Sequence, residues 1–311
     1  MRIIVTGGYG FIGSSFVNLL NRKMPNAEVV ILDKMTYAAN PNNIKKSTKC
    51  IHKDICDVTP EDLGSYDYIV HFAAESHVDN SIKDGKPFIR TNVEGTFNLL
   101  ECARQNPNLK KFIHISTDEV YGDMDDIGIL AESDESFGLK GSSYYSASKA
   151  ASDLLVESAG RTFGLPYLIT RTCNNYGSHQ NEEKFIPKIM KSIAEDLTIP
   201  VYGDGNQVRE WIDVEDNVQL IHGLMLSDIE GEVYNIGSGE RYKNIEIINI
   251  IAKMLGKTPK FEFVKDRLGH DRRYALNSSK IREIFPEWIS LSFQEFLLEQ
   301  VNALVNLNKN N

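Results

Sequence analysis

A tyrosine and a lysine in the middle of the chain have the spacing of an acid–base pair. Tyr145 and Lys149 lie four residues apart in a stretch with a helical pattern, so their side chains share one helix face. A nearby ammonium group lowers the pKa of a phenol, which then takes a proton from a hydroxyl while hydride leaves the carbon. Of the 13 tyrosines, only Tyr145 is followed by a lysine four residues on. The alternative is a surface helix pair worth about 0.2–0.5 kcal/mol.

Two adjacent carboxylic acids follow a short apolar run earlier in the chain. The run at 112–115 has the length and composition of a buried strand, and Ser-Thr-Asp-Glu-Val-Tyr-Gly follows it at 116–122. Asp118 and Glu119 are therefore expected at the carboxyl end of a strand, where open α/β sheets bind ligands. The alternative is that both acids only cap a turn.

The amino-terminal stretch has the pattern of a dinucleotide-binding unit. An apolar strand at 3–6 leads into Gly-Gly-Tyr-Gly-Phe-Ile-Gly at 7–13 and then into an amphipathic helix. Glycines permit the tight turn and let backbone N–H groups and the helix amino terminus approach a pyrophosphate. A second strand ends in Asp33, twenty residues after Gly13, where an acid accepts hydrogen bonds from ribose hydroxyls. Together these features predict a bound dinucleotide.

Asp33 also indicates which dinucleotide binds. Its carboxylate would repel the additional phosphate of NADP, whereas the following Lys34 would attract that phosphate. We therefore expect NAD. A role for Asp33 in forming the turn at the strand end is compatible with the same geometry.

Strand and helix patterns alternate as in a doubly wound α/β fold. The apolar run at 68–74 is typical of a parallel strand, and the pattern at 91–102 predicts a crossover helix. His71 and His114 fall inside such strands, so we interpret them as core histidines. We predict a Rossmann-type doubly wound parallel sheet with a smaller α/β carboxyl-terminal substrate lobe. The predicted domains are 1–175 for the dinucleotide, joined by later segments near 204–236, and 176–311 for the substrate.

Composition and charge limit the possible partners. The 311-residue chain has a formal net charge of -9, which argues against nucleic acid and anionic membranes because phosphates are bound by clustered Lys and Arg. No apolar stretch approaches the length of a membrane span. The four cysteines show neither Cys-x-x-Cys nor zinc-site spacing, so we expect reduced thiols, no metal site and a cytoplasmic protein.

Three polar stretches have less specific patterns. The acidic, glycine-containing segment 123–141 has no clear period and is predicted to be a lid over the site. The segment 203–211 predicts a hairpin-like turn that leads to Arg209, a candidate phosphate ligand. Arg209 and the basic stretch 266–273 either bind a diphosphate or form surface salt bridges, and the residues alone leave both interpretations open.

With these residues in view, the sequence resembles the extended short-chain dehydrogenase/reductases, and within them the dTDP-glucose 4,6-dehydratase family. The resemblance covers nearly the whole chain. The dehydratase assignment depends chiefly on Thr-Asp-Glu at 117–119, because related nucleotide-sugar epimerases lack the acid pair that elimination requires. The other matching motifs are the glycine run, residues 32–38, 73–79 and 174–177, Tyr145 with Lys149, Arg209, and 266–273.

The resemblance implies NAD-dependent dehydration of a nucleotide-diphosphate hexose. Tyr145 would take the hydroxyl proton as hydride leaves sugar C4 for NAD, and the resulting ketone acidifies the proton on C5. Glu119 would remove that proton, and Asp118 would protonate the departing C6 hydroxyl before hydride returns to C6. Adjacent carboxyls in opposite roles need separated pKa values, which burial beside a second negative charge provides.

The family's contact positions carry over onto this chain residue by residue. The catalytic positions are Thr117, Asp118, Glu119, Tyr145 and Lys149. Those matching cofactor contacts are Gly7, Gly10, Phe11, Ile12, Gly13, Asp33, Lys34, Thr36, Asp54, Ile55, Ala73, Ala74, Thr91, Tyr145, Lys149 and Asn175. Those matching substrate contacts are Ser76, Thr117, Asn174, Lys184, Phe185, Tyr202, Arg209, Asn244, Arg267 and His270. The family also forms homodimers through the helices at 92–104 and 145–161.

The chain departs from the family near the expected sugar and nucleotide. Leu268 and Tyr144 each replace a usual proline, and Ser-His-Gln-Asn at 178–181 differs from the usual Pro-Tyr-His-Phe. The sequence therefore leaves dTDP-glucose and UDP-glucose both open. Within the fold, the alternatives are a UDP-N-acetylhexosamine 4,6-dehydratase and a nucleotide-sugar 4-epimerase. A non-catalytic NAD-sensing regulator is the alternative of a different class, and it would not need the Tyr–Lys pair and the acid pair together.

Overall fold

The computed structural model describes residues 1–124 and 132–309. In chain order, the strands are β1 (Arg2–Thr6), β2 (Glu28–Asp33), β3 (Lys49–His52), β4 (Tyr68–His71), β5 (Lys111–Thr117), β6 (Tyr167–Thr172), β7 (Asn174–Tyr176), β8 (Ile199–Tyr202), β9 (Val208–Asp213), β10 (Glu232–Ile236), β11 (Arg241–Lys243) and β12 (Phe261–Val264). The helices are α1 (Phe11–Lys23), α2 (Pro60–Leu63), α3 (Val78–Lys83), α4 (Lys86–Phe88), α5 (Thr96–Arg104), α6 (Tyr144–Phe163), α7 (Phe185–Ala194), α8 (Val214–Leu226), α9 (Asn244–Met254), α10 (Ser279–Ile284) and α11 (Phe293–Lys309).

The central sheet of the described chain has seven parallel strands in the order β10-β6-β5-β4-β1-β2-β3. The strand order reverses between β1 and β4, so the loops after these two strands diverge and leave a crevice at the carboxyl edge. This arrangement confirms the predicted doubly wound α/β fold. The carboxyl ends of β1, β2, β4, β5 and β6 all point toward that edge.

The sheet is covered on both faces, as the alternation of apolar residues along its strands requires. Ile3 and Val5 of β1 belong to one hydrophobic cluster, which includes residues of α1 and α8. Ile4 belongs to a second cluster on the opposite face, which includes residues of α5 and α6. All three of these β1 side chains are fully buried. The two clusters fix the positions of the strand ends that form the crevice.

A continuous helix follows β4 and contains a π-helical segment. α4 passes directly into the π-helical residues Ile89–Gly95, which lead into α5. Asn92 in this segment exchanges hydrogen bonds with the backbone of Glu75, at 2.9 and 3.0 Å, and donates to Ser148 Oγ of α6 at 2.8 Å. The widened turn therefore ties the loop after β4 to α6. Segments of this kind are frequent near functional sites.

A smaller group of elements comes after β6 in the chain and is interrupted there by α8 and by β10 of the central sheet. It contains the sheets β11-β9-β7 and β12-β8, together with α7, α9 and α11, around a third hydrophobic cluster. The prediction of a hairpin at 203–211 is wrong, because β8 pairs with β12 whereas β9 pairs with β7 and β11. Gly203 and Gly205 do adopt left-handed φ values of 58° and 71°, so a turn is present, but it links two different sheets.

Two further sequence predictions concern a lid at 123–141 and the lack of a membrane span. The predicted lid at 123–141 falls partly on residues 125–131, which lie outside the described residues. In the described parts of the chain, none of the helices has the length and apolarity needed to cross a membrane.

Candidate active site

A cleft of about 420 Å³ lies along the carboxyl-terminal edge of the central sheet. It occupies the crevice at the reversal of strand order, where doubly wound sheets bind ligands. Most of the residues predicted to contact a cofactor or substrate line it. They are Gly7, Gly10, Phe11, Ile12, Gly13, Asp33, Lys34, Thr36, Ile55, Ala73, Ala74, Ser76, Thr91, Thr117, Glu119, Tyr145, Lys149, Asn174, Asn175, Lys184 and Phe185.

The glycine run forms a cradle at one end of this cleft. Gly7 has a φ of 65°, and a Cβ atom there would lie 2.7 Å from the backbone nitrogen of Ala73. A Cβ on Gly13 would collide with the carbonyl oxygen of Gly7. Helix α1 begins after Gly10 with no side chain capping it, so its first N–H groups remain available to an anion. This geometry fits the pyrophosphate of a dinucleotide.

Asp33 and Lys34 lie beside the cradle and favour NAD over NADP. The Asp33 carboxylate accepts hydrogen bonds from the backbone N–H groups of Tyr9, at 3.0 Å, and Met35, at 2.8 Å. The Lys34 ammonium lies 3.7 Å from carboxylates of both Asp54 and Glu75. Because two acids already neutralise Lys34, its charge is not available to offset the repulsion between Asp33 and a 2′-phosphate.

Asp54, which does not line the cleft, is held in its ionised form by its neighbours. Burial alone would raise the pKa of Asp54, but a hydrogen bond from the Cys56 N–H and the nearby Lys34 hold it below the usual value. The Cys56 nitrogen lies 3.0 Å from Asp54 Oδ1. Asp54 is therefore an ion-pair partner of Lys34 rather than part of the cleft lining.

Tyr145 and Lys149 lie one turn apart on α6, as predicted, and both line the cleft. The helix begins with a capping box at Ser143, which fixes the entry of the chain just before Tyr145. Burial lowers the pKa of Lys149 to about 8. Its ammonium group donates to the carbonyl oxygen of Ile115 at 2.7 Å and lies 3.4 Å from His114 Nε2.

The structure contradicts the predicted lowering of the Tyr145 pKa. Burial raises the pKa of Tyr145, and the Glu119 carboxylate raises it further. A side-chain hydrogen bond with Thr117 opposes this rise. Lys149 does not compensate, because its ammonium group is directed to the backbone of β5.

A network of buried polar side chains contacts Lys149. His114 is fully buried and lies 3.4 Å from Asp153 Oδ1, while Asp153 Oδ2 accepts a hydrogen bond from Arg171 Nε at 2.9 Å. Burial and the Lys149 charge lower the pKa of His114 to about 4, so it stays neutral. His114 is therefore a core histidine, as predicted, although it also contacts Lys149. His71 is likewise buried and bonded, to the hydroxyls of two threonines.

The acid pair lies where β5 ends, on a short 3-10 helix. Thr117 caps this helix, because its hydroxyl accepts from the Glu119 N–H at 3.3 Å and donates to Asp118 Oδ1 at 3.2 Å. Asp118 is 2% exposed, and its Oδ2 atom has no hydrogen-bond partner among the described residues. Burial raises the pKa of Asp118 well above its usual value, and the charges of Glu119 and Glu210 raise it further.

Glu119 has a different environment from Asp118. It lines the cleft, and burial raises its pKa, whereas the positive charges of Arg267 and Arg209 oppose that rise. Asp118 lies behind it, outside the cleft lining, with only one oxygen satisfied. The two neighbouring carboxyls thus differ in solvation and in nearby charge, which is the condition for an acid and a base to act side by side.

The remaining predicted substrate residues lie beyond the cleft lining. Arg209 is buried and donates to the carbonyl oxygens of Val208 and Asp271, at 2.8 and 2.9 Å. Asn244 begins α9, and its backbone N–H donates to Gln207 O at 3.0 Å. The predicted phosphate fork at Arg209 is therefore directed to the backbone in this structure.

Tyr202, Arg267 and His270 form a separate polar group. The rings of Tyr202 and His270 are 6.1 Å apart, and His270 Nδ1 lies 2.6 Å from Asp266 Oδ1. Arg267 Nη1 lies 3.5 Å from Asp79 Oδ1 of α3. This ion pair links the segment after β12 to α3. The Arg267 charge also acts on Glu119, so Arg267 is close to the cleft without lining it.

A family model described as the NAD dependent epimerase/dehydratase family matches residues 3–237. The chain belongs to this family. The protein is 45% identical to the low-salt glycan biosynthesis protein Agl12 of Haloferax volcanii over 96% of each chain. It is 40% identical to a dTDP-glucose 4,6-dehydratase of Streptomyces niveus over 97% of this chain and 92% of that protein.

One solved structure is similar to this chain in both sequence and fold. It is the dTDP-glucose 4,6-dehydratase DesIV of Streptomyces venezuelae with NAD and TYD bound. That protein is 41% identical to this chain, with a TM-score of 0.91 over 97% of this chain and 96% of the other. These matches support the resemblance found from the sequence, and the family is NAD-dependent by its description.

Tyr274 is one of the residues near the acid pair that sequence reasoning missed. The Tyr274 hydroxyl lies 3.5 Å from Glu119 Oε2, although the two residues are 155 positions apart in the chain. The only signal in the sequence is the position of Tyr274 directly after the basic stretch 266–273. The motif at 116–122 gave no indication of what would pack against it.

Proposed function

We propose that this protein is a nucleotide-sugar 4,6-dehydratase, which converts dTDP-glucose or UDP-glucose to the 4-keto-6-deoxy sugar. The observation that carries the proposal is the arrangement at the end of β5, where Asp118 and Glu119 adjoin the Tyr145–Lys149 pair but have different environments. A 4-epimerase needs proton transfer only at the C4 hydroxyl. Its reaction would therefore require neither Asp118 as an acid nor Glu119 as a base.

NAD, when bound, supplies an acceptor for hydride from sugar C4 and a donor of hydride to C6. Tyr145 takes the proton of the 4-hydroxyl, and the Lys149 ammonium group, one helical turn away, turns from the Ile115 carbonyl oxygen toward the developing phenolate. Glu119 then removes the proton that the 4-ketone has acidified on C5. Asp118, which burial keeps protonated, donates its proton to the departing C6 hydroxyl. Each such proton transfer contributes about 10²–10⁴ in rate.

Charge in the cleft suits an anionic substrate. Lys184 lines the cleft, and burial lowers its pKa while the Glu119 carboxylate among others opposes that change. Arg267 and Arg209 act on Glu119 from the other side. We propose that residues 1–175, with α8 and β10, hold the dinucleotide, and that residues 176–311 hold the nucleotide diphosphate through these cations.

The test is to incubate the purified protein with dTDP-glucose, UDP-glucose or UDP-N-acetylglucosamine in heavy water, without added NAD. A product that has lost one water and gained one deuteron at C5, with the alkaline absorbance of a 4-keto-6-deoxy sugar, is the expected result. Mass spectrometry then identifies the substrate base and hexose.

Other outcomes identify the alternative functions. Dehydration of UDP-N-acetylglucosamine alone would make the protein an N-acetylhexosamine 4,6-dehydratase. Unchanged mass with inverted configuration at C4 would make it an epimerase. Absence of turnover together with ligand-dependent binding to another protein would support an NAD-sensing regulator.

We also propose a homodimer formed through α5 and α6. Three large apolar side chains on these helices are about half exposed: Phe97 at 54%, Leu154 at 56% and Phe163 at 54%. The two helices share one hydrophobic cluster through their inner faces, so these outward residues lie on neighbouring helices. Apolar residues grouped on paired helices favour association with a second copy.

A cytoplasmic location remains our prediction. Cys50, Cys56, Cys102 and Cys173 are all free thiols in the structure, as is usual in a reducing compartment. Cell fractionation followed by immunodetection tests it.

A further inference from the structure

A tyrosine that the proposed mechanism does not use contacts the proposed base. The Tyr274 hydroxyl lies 3.5 Å from Glu119 Oε2 and 2.6 Å from Asp271 Oδ2. Tyr274 is 3% exposed, and the guanidinium of Arg209 lies over its ring, 4.3 Å from the centroid. The hydroxyl therefore lies between two carboxyl groups.

Asp271 connects this tyrosine to a second cavity. Asp271, Ser142 and Lys140 are among the residues that line it, and none of its described lining residues lines the main cleft. Asp271 is 5% exposed and forms a side-chain hydrogen bond with Ser142. Ser142 and Lys140 are both exposed, so the cavity meets solvent at its rim.

Glu119 thus has two sides. One side lines the main cleft, which the substrate would fill, and the other side faces Tyr274. Once a nucleotide sugar covers the first side, the contact with Tyr274 offers a route that leads away from the substrate. A base that has taken the C5 proton would exchange it along that route.

We propose that Tyr274 and Asp271 form a proton relay, which exchanges the proton on Glu119 with water in the second cavity while substrate occupies the cleft. The relay rests on the proposed function, because it assumes that Glu119 takes the proton from C5. It adds a path for that proton and assigns a role to the second cavity.

The relay moves protons only and balances at each atom. Protonated Glu119 donates to the Tyr274 oxygen as the Tyr274 hydroxyl passes its own proton to the Asp271 carboxylate. Water in the second cavity then exchanges with the proton on Asp271, and the reverse movement returns a solvent proton to Glu119. No electrons move, and only O–H bonds break and form.

The acidities along this path are compatible with such a relay. Burial raises the pKa of Asp271, as it does that of Glu119, so both carboxyls bind a proton more readily than an exposed acid. Burial and the Glu119 charge raise the pKa of Tyr274, which keeps it a neutral hydroxyl that both accepts and donates.

The experiment measures deuterium at C5 of the product formed from dTDP-glucose in heavy water at low conversion. The wild-type protein should give nearly complete deuteration. In Asp271→Asn, the amide still accepts a hydrogen bond from Tyr274 but cannot take up a proton. Exchange should slow by about 10² or more, so that the product retains most of the substrate's own C5 proton. Tyr274→Phe keeps the ring under Arg209 and should give the same retention.

Two control variants remove similar groups elsewhere. Asp213→Asn changes a buried carboxyl whose pKa burial raises to about 6, at the start of α8. Tyr176→Phe removes a buried hydroxyl that donates to Leu291 O at 3.2 Å. Both controls should give the same C5 deuteration as the wild type.

Complete C5 deuteration in both relay variants would overturn the relay, as would a wild-type product without deuterium. If a relay variant forms no product, the ready-made 4-keto-6-deoxy product is incubated with it in heavy water. Wild-type-like exchange at C5 then overturns the relay, and loss of exchange supports it. Failure of the wild type to dehydrate any nucleotide sugar would instead refute the proposed function.

Discussion

At the scale of single residues, the two carboxyl groups at the end of β5 show how neighbours acquire different chemistry. Asp118 has one oxygen without a partner among the described residues, and burial raises its pKa. Glu119 lines the cleft and is influenced by two arginines. An unsatisfied buried carboxyl is costly to the folded state, so a functional role is the physical reason to retain it.

Asp118→Asn should therefore stabilise the protein while it lowers activity. The folded-state pKa of Asp118 is raised, so ionisation destabilises the fold progressively as pH rises above the unfolded pKa of about 3.9. At neutral pH the variant should gain about 1–3 kcal/mol in unfolding free energy. Thermal unfolding of both proteins across pH 4 to about 8 measures the difference.

Asp54→Asn provides the opposite case. Its neighbours hold the pKa of Asp54 below the usual value, so the ionised form stabilises the fold above the unfolded pKa, and that stabilisation is lost as pH falls. The Asn variant should thus be less stable than the wild type at neutral pH. For the earlier Asp118→Asn variant, an unfolding free energy with the same dependence on pH as the wild type would contradict the argument that burial raises the pKa of Asp118.

Lys149 gives a prediction for the alkaline side of the activity profile. Burial lowers its pKa to about 8, so the ammonium charge one helical turn from Tyr145 is lost as pH rises through that value. The rate of hydride transfer should fall above about pH 8, and in Lys149→Arg the fall should move to higher pH because guanidinium stays charged. Rapid-mixing measurement of reduced cofactor across pH checks this. An unchanged alkaline limb in the variant would mean that another group sets it.

At the scale of elements, the chain's local patterns predicted the strands better than their partners. The doubly wound sheet followed from apolar runs, the glycine motif and alternating helices. The pairing of β8 and β9 did not, because a turn signal at Gly203 and Gly205 gives local geometry, whereas strand pairing is decided by distant segments such as β12. The contact of Tyr274 with Glu119 could not be predicted either, because it also joins residues that are distant in the chain.

The glycine cradle gives a prediction at this scale. Gly7→Ala places a Cβ at positive φ and 2.7 Å from the Ala73 nitrogen, so we expect lost NAD binding and a destabilisation above about 1–2 kcal/mol. Gly231→Ala is the matched control, because its φ is 73° but no atom lies within 4 Å of the added Cβ. It should show the conformational cost alone and bind NAD normally, as titration calorimetry and thermal unfolding would measure.

At the scale of the whole molecule, the outward faces of α5 and α6 predict association. Leu154→Arg places a charge on a side chain that is 56% exposed in the single chain, so folding should be retained while the proposed dimer dissociates. Ile289→Arg is the control, since that residue is 84% exposed and lies between α10 and α11 in the chain. Light scattering coupled to gel filtration measures the masses. A monomeric wild type, or a dimeric Leu154 variant, would refute this interface.

The position of β10 bears on how the protein forms during translation. β10 comes from residues 232–236 yet completes the central sheet by pairing with β6, whose last residue is Thr172. At about 5–20 residues per second, the ribosome needs roughly 3–13 s to add the intervening chain. During that interval the nascent chain presents the unpaired edge of β6, which is a template for incorrect pairing. A fragment cut after residue 175 should therefore aggregate, while one that includes α8 and β10 should stay in solution.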